Sequence, residues 1–238
     1  MSNQNEVETQ IGELIFAVQE FSAGNAASIL EGINAACSDL LLWLTYLNAY
    51  ERTGTADLLL DGVASSVREC AACAALGFVR PALFSARTQI DLLLGWLYFK
   101  DHPVEWNAVN ERGEGFKLKR ELLDYYGEYM QGYKMRFGLL QEVADRSESD
   151  PYRLLSAHIH AQSSMVLPDA MSLKDVVRSS SLVKQLPQLL IEVNEYVGDV
   201  LISMFARKWA SIPGEIIDHI VLRLNTKKNQ RERFFEGI

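Results

Sequence analysis

The segment from Ser149 to His160 holds the densest group of side chains that could perform acid–base chemistry on a phosphate. It reads Ser-Asp-Pro-Tyr-Arg-Leu-Leu-Ser-Ala-His-Ile-His, and it contains two of the four histidines of the chain. Pro151 suits the first turn of a helix, so Arg153 should lie among the backbone N–H groups left free at a helix start. The helix dipole and a guanidinium group both favour an anion there. The sequence therefore predicts a phosphate-binding helix that begins near Pro151.

Helical geometry places one of the two histidines on the same side of this helix as the arginine. His160 follows Arg153 by seven residues, which returns it to within roughly 20° on the helical wheel. Ser156 shares this stripe, whereas His158 is rotated by roughly 140° from Arg153. We predict that Arg153 and His160 are catalytic, with His158 as the second candidate histidine and with Ser156 and Tyr152 in support.

This arrangement resembles the signature of the HEPN superfamily, in which an arginine precedes a histidine by four to six intervening residues on a late helix of an all-α bundle. Four residues separate Arg153 from His158, and six separate Arg153 from His160. Arg87 and Asp91 are similar to an arginine and an acid, four residues apart, on an earlier helix of a HEPN-like bacterial family. The resemblance covers roughly residues 25–210.

The resemblance implies a metal-independent endoribonuclease that uses no cofactor and builds its site at a homodimer interface. The histidine would move the proton of the RNA 2′-hydroxyl or of the leaving oxygen, and the arginine would stabilise charge on the phosphate. Arg87 would supply a second phosphate contact, and Asp91 would orient a histidine. Many members are toxins or antiphage effectors that cut tRNA or mRNA, which implies a cognate antitoxin or regulatory protein as a further partner. Leu154 departs from the signature, because active members carry a polar residue directly after the arginine.

The same residues also allow a purely structural role. Arg153 could pair with Asp150 or Glu148, and Arg87 and Asp91 have the spacing of an ordinary ion pair along a helix.

A second functional hypothesis is a non-catalytic helical module that binds a partner protein or a nucleotide-like ligand. It predicts that Leu154 and its neighbours lie in a packed core and that His160 is inaccessible. The position of His160 therefore separates the two hypotheses.

Three other groups of residues are interpreted as structural. Cys70 and Cys73 form a lone C-x-x-C inside a predicted helix, and Cys37 with the distant histidines offers no obvious zinc site, so we predict no metal ligands. Small apolar neighbours favour cysteines packed between close helices. The tyrosines between residues 125 and 133 could stack on bases, but their helical spacing is typical of a core or an interface. The basic residues 227–233 are interpreted as part of a solvated tail.

Hydrophobic periodicity predicts an all-α protein. Apolar residues recur at three- and four-residue steps, and no alternating pattern of useful length predicts a strand. We expect an up-and-down bundle with a four-helix core plus appended N- and C-terminal helices. Residues 1–24 are assigned to an N-terminal appendage, 25–210 to the bundle, and 211–238 to a short helix and a polar tail. The predicted bundle helices run over about 25–53, 56–77, 81–100, 117–146, 151–161 and 181–209.

Composition narrows the classes of function. With 238 residues and 48% hydrophobic residues, the chain can bury a substantial core. A net charge of -8 argues against a broad basic surface for long nucleic acids, although a small basic pocket remains compatible with it. The three cysteines cannot all pair, the first residues show no targeting pattern, and the apolar runs are too short for a bilayer. We therefore predict a cytoplasmic protein without membrane contact.

Overall fold

A computed structural model of the chain describes residues 2–162, 164–177 and 181–236. Within these ranges the chain forms eleven α-helices and no strand, which confirms the predicted all-α class. The helices are α1 (Ser2–Ala36), α2 (Ser38–Tyr50), α3 (Leu58–Ala75), α4 (Val79–Phe99), α5 (Pro103–Arg112), α6 (Lys119–Tyr129), α7 (Tyr133–Glu142), α8 (Pro151–Ile159), α9 (Ser181–Phe205), α10 (Gly214–Leu224) and α11 (Gln230–Phe235). Short 3₁₀ helices cover Ser164–Val166, Leu173–Val176 and Ala206–Ser211.

Four helices form the core of the bundle. α1 packs against α3, α3 against α4, α4 against α9, and α9 against α1, so the four helices close a ring around one apolar interior. Ile33, Leu60, Ile90 and Val200, one from each of these helices, are fully buried in it. Gly32 permits the close approach of α1 to α9, because a Cβ atom at that position would lie only 3.0 Å from Cγ of Pro187.

The first part of the chain differs from the prediction in two ways. α1 runs without interruption through residue 24, where we expected an N-terminal appendage to end. The single helix predicted for residues 25–53 is instead bent by 53° at Cys37, between α1 and α2. By length and hydropathy no single helix among the described residues could cross a bilayer, although the bent pair formed by residues 4–36 and 38–50 satisfies those criteria jointly.

The helix predicted over residues 117–146 is divided into α6 and α7. Gly132 lies between them with a φ of +77°, a left-handed conformation that disfavours side chains. A Cβ atom there would also lie 2.7 Å from Nη1 of the buried Arg136. The glycine therefore caps the start of α7 and makes room for a guanidinium.

The C-terminal part of the chain is more ordered than predicted. Residues 230–235 form α11, and Phe234 is fully buried. Gln230 Nε2 donates to Glu142 Oε2 at 2.6 Å, and Lys227 donates to the carbonyl oxygen of Glu142. The side chains of Lys227, Lys228, Arg231 and Arg233 are exposed, as expected for a solvated tail, but the backbone of this segment forms a short helix that packs against α7. α5 was not predicted from the sequence.

Candidate functional site

α8 begins where the sequence predicts, with Pro151 as its first residue. Leu155 is fully buried and anchors the inner face of the helix. The Asp150 side chain does not cap the helix, because both of its oxygens accept hydrogen bonds from Lys119 Nζ at 2.6 Å. α8 is therefore fixed by an apolar anchor and an ion pair to α6, while its opposite face remains open.

A row of acidic residues on α9 holds the segment that leads into α8. Glu192 accepts hydrogen bonds from Ser147 Oγ at 2.5 Å and from the Ser147 backbone N–H at 3.2 Å. Glu195 accepts from the backbone N–H of Asp145 at 3.1 Å. The backbone N–H groups of this loop lack the carbonyl partners that a helix would provide, and the two carboxylates accept their hydrogen bonds instead. They determine where α8 starts relative to the core.

Below this loop lies a buried network of four charged side chains. Arg146 Nη1 is 2.6 Å from Asp199 Oδ2 and 3.0 Å from Glu195 Oε1, and the side chains of Arg146 and Asp199 are fully buried. Arg223 on α10 reaches the same two acids, at 2.8 Å from Asp199 Oδ1 and 3.0 Å from Glu195 Oε1. Two guanidinium groups and two carboxylates balance in charge, as a buried ionic cluster requires. The network joins α9, α10 and the loop before α8.

The structure brings together three of the predicted supporting residues. Arg87 Nη2 donates a hydrogen bond to Tyr152 Oη at 2.5 Å, and Arg87 Nε lies 3.5 Å from Asp91 Oδ2. Burial raises the pKa of Asp91, although the Arg87 charge, a hydrogen bond from Tyr152 and the Lys119 charge all lower it. The Tyr152 ring is close to two cations, with Arg87 Cζ at 4.6 Å and Lys119 Nζ at 4.8 Å from its centroid. The predicted ion pair between Arg87 and Asp91 is confirmed.

Arg80 is a member of the site that was not predicted from the sequence. Its Nη2 donates to the backbone carbonyl oxygens of His158 at 3.0 Å and Ile159 at 3.1 Å, at the C-terminal end of α8. Burial, followed by the positive charge of Arg80, lowers the pKa of His158. The available signal was the spacing from Arg80 to Arg87, because seven residues place both on one face of α4. α4 and α8 run antiparallel, so Arg87 meets the start of α8 and Arg80 meets its end.

The two residues predicted as catalytic are exposed and lack side-chain partners. Neither Arg153 nor His160 makes a side-chain hydrogen bond or ion pair with any residue that the structure describes, including one another. The alternative ion pair with Asp150 is wrong, since that carboxylate binds Lys119. The inaccessible His160 expected for a non-catalytic module is also wrong, and Leu154 is only half-buried.

The structure changes two details of the predicted stripe of Arg153, Ser156 and His160 on one face of α8. Ser156 Oγ is enclosed and has no hydrogen bond to a described residue, so this hydroxyl does not reach the surface in the present rotamer. His160 directly follows the last residue of α8, and its backbone N–H still bonds to the Ser156 carbonyl at 2.9 Å. His160 is therefore still held by the last turn of α8, as its predicted position on the same side of the helix as Arg153 requires.

The groups interpreted as structural are mostly enclosed. Cys37 and Cys70 are buried, Cys73 is half-buried, and all three are free thiols. Burial raises the pKa of Cys70, which disfavours the reactive thiolate. Tyr126 is fully buried and donates to the Leu94 carbonyl oxygen at 2.6 Å, whereas Tyr129 is exposed.

Comparison of the chain with protein-family models, with curated proteins and with solved structures found no match. The interpretation of the site therefore depends on its own geometry and on the sequence resemblance described above.

Proposed function

We propose that this protein is a metal-independent endoribonuclease in which Arg153 and His160 perform the chemistry. The observation that carries the proposal is that Arg153, on α8, and His160, directly after its last residue, are both exposed and pair with no residue that the structure describes. Nearby cations are already engaged, because Arg87 binds Tyr152 and Lys119 binds Asp150. A guanidinium and an imidazole without internal partners are free to bind a phosphodiester.

The proposed reaction is a transesterification within the RNA chain. The 2′-oxygen attacks the adjacent phosphorus as an imidazole removes its proton, and the bond from phosphorus to the 5′-oxygen breaks as that oxygen receives a proton. The products are a 2′,3′-cyclic phosphate and a 5′-hydroxyl. Arg153 would bind two oxygens of the pentavalent phosphorus and stabilise their charge in the transition state. The bonds and protons of this transesterification balance without a redox change or a metal ion.

A homodimer would complete such a site, because one imidazole cannot remove and donate a proton in the same step. A second copy would bring its own His160, so one histidine would act as the base and the other as the acid. α1 offers an apolar surface for this pairing. Val7, Ile11 and Ile15 are spaced four residues apart on one helix face and are exposed by 51%, 46% and 52%.

The biological setting that we propose is a toxin or an antiphage effector in the cytoplasm, with tRNA or mRNA as substrate. The net charge of -8 favours a short contact around one phosphate over binding along an extended RNA. A nuclease of this kind would require control by an antitoxin or another regulatory protein.

The test is incubation of the purified protein with total RNA, with and without EDTA. We expect cuts that resist the chelator and carry cyclic phosphate ends, and we expect none with His160→Ala. His219→Ala is the matched control, since it removes an exposed histidine from α10. Cleavage that EDTA abolishes, or that His160→Ala leaves unchanged, would exclude the proposed site.

A further inference from the structure

A cavity lies beside α9, where α1 bends into α2. It has a volume of about 340 Å³ and is bounded by the α1–α2 junction, α9, α10 and the loop after α7. Trp43, Ile191 and Ile220 contribute apolar surface to it. A volume of this size suits a small organic molecule. None of the residues assigned to the ribonuclease site lines this cavity.

Asn194 gives the cavity an unsatisfied hydrogen-bond acceptor. This residue lines the cavity, is only 6% exposed, and has no hydrogen bond from a described residue at its Oδ1 atom. Its Nδ2 atom is occupied, because it donates to the Leu190 carbonyl oxygen at 2.7 Å and contacts Cys37 Sγ at 3.5 Å. A buried acceptor without a donor is costly, so a ligand that brings an N–H group would be favoured there.

The charges around the cavity are predominantly negative. Asp39, Asp145 and Glu195 line it, and Arg223 is its permanent cation. Arg223 is already bound to Glu195 and to Asp199 behind the cavity wall, so it is not available to an anion. Asp39 Oδ2 lies 2.7 Å from His219 Nδ1 at the exposed rim. The Asp145 carboxylate forms no close ion pair with a described residue, although its charge contributes to raising the pKa of Arg223.

We infer that this cavity binds a small organic cation, such as an alkylammonium or guanidinium compound. Its N–H group would donate to Asn194 Oδ1, its charge would be balanced by Asp145 and Asp39, and its carbon chain would contact Trp43 and Ile191. The proposal is independent of the ribonuclease assignment, because it uses a different face of the protein.

Calorimetric titration of the full chain with agmatine and with putrescine tests this inference. We expect saturable binding of one molecule per chain, with inorganic phosphate and 1-butanol giving no binding. Asn194→Leu should weaken binding by about tenfold, equivalent to ~1.4 kcal/mol. Asp145→Asn should weaken it by less than about fivefold, as expected for a partly exposed charge. The second variant keeps the test valid if the first fails to fold.

The matched control is Asp218→Asn, which removes a negative charge from the exposed surface of α10 outside the cavity lining. It should leave the binding constant unchanged. Three results would each overturn the inference: no saturable binding of either cation, equal binding of phosphate, or equal weakening by Asp218→Asn and Asp145→Asn.

Discussion

Arg87 and Tyr152 are joined by a hydrogen bond of 2.5 Å from Nη2 to Oη, and this bond links α4 to the start of α8. Tyr152 directly precedes Arg153, so the contact that fixes one residue also orients the backbone of the next. The Tyr152 hydroxyl accepts from Arg87, and its interaction with the Asp91 carboxylate opposes the rise that burial causes in the pKa of that group. The inner face of α8 is thereby fixed while its outer face stays free.

Removal of that hydroxyl should destabilise the protein. We expect Tyr152→Phe to lower the free energy of unfolding by about 1–3 kcal/mol, because Arg87 Nη2 loses a partly buried acceptor. Urea denaturation followed by circular dichroism measures this change. Tyr50→Phe is the control, since Tyr50 is 73% exposed, and its effect should be near zero. Equal stabilities for the two variants would show that the Arg87–Tyr152 bond contributes nothing.

Arg153 should be required for catalysis but not for folding. We expect Arg153→Ala to lower RNA cleavage by about 10²–10³-fold, the loss typical for one group that stabilises transition-state charge. Arg153→Lys should recover only part of the activity, because lysine retains the charge but not the paired donors. Single-turnover cleavage rates measure both effects. The control is Arg120→Ala, which removes a side chain that is 92% exposed on α6. A cleavage rate for Arg153→Ala that matches this control would remove Arg153 from the mechanism.

The buried network below the site should dominate stability. Asp199→Asn removes the charge that balances Arg146 and Arg223, and we expect a loss of about 3–5 kcal/mol in the free energy of unfolding. The exposed pair of Arg52 and Asp61 provides the comparison, with side chains 41% and 54% exposed. Asp61→Asn should cost less than about 1 kcal/mol. Chemical denaturation of both variants tests the difference, and similar losses would contradict the importance of burial.

Local patterns predicted α8 well because its start depends on neighbouring residues. Pro151 fixes the first turn, and the Arg87–Asp91 pair follows from helical spacing alone. The role of Arg80 could not be predicted in this way, because its contact with the end of α8 depends on α4 and α8 running antiparallel. The same limit applies to the bend at Cys37 and to the packing of Phe234, since both depend on tertiary contacts. Features set by neighbouring residues along one helix were therefore more predictable than contacts between helices.

His158 should make stability depend on pH. Its pKa is lowered in the folded state by burial and then by Arg80, so protonation favours the unfolded chain. The contribution of neutral His158 to the free energy of unfolding is fully present above the unfolded pKa of about 6.5. It is lost as pH falls through the lower pKa of His158 in the folded state. We expect His158→Gln to reduce the loss of unfolding free energy between pH 8 and pH 5. Urea denaturation across this range measures it, and identical pH profiles for the variant and the parent chain would contradict the effect.

Arg80 should tune His158 through its charge rather than through its hydrogen bonds. Arg80→Gln keeps an N–H donor for the carbonyl oxygens at the end of α8 but removes the positive charge, so the pKa of His158 should rise. It should remain below the ordinary histidine value, because burial is the larger cause of the shift. An NMR titration of the His158 ring, assigned with the His158→Gln variant, measures both values. Arg52→Gln serves as the control for loss of one arginine at an ion pair elsewhere. If the His158 pKa stayed constant in Arg80→Gln, or fell, the charge of Arg80 would not act on this imidazole, and burial alone would account for the shift.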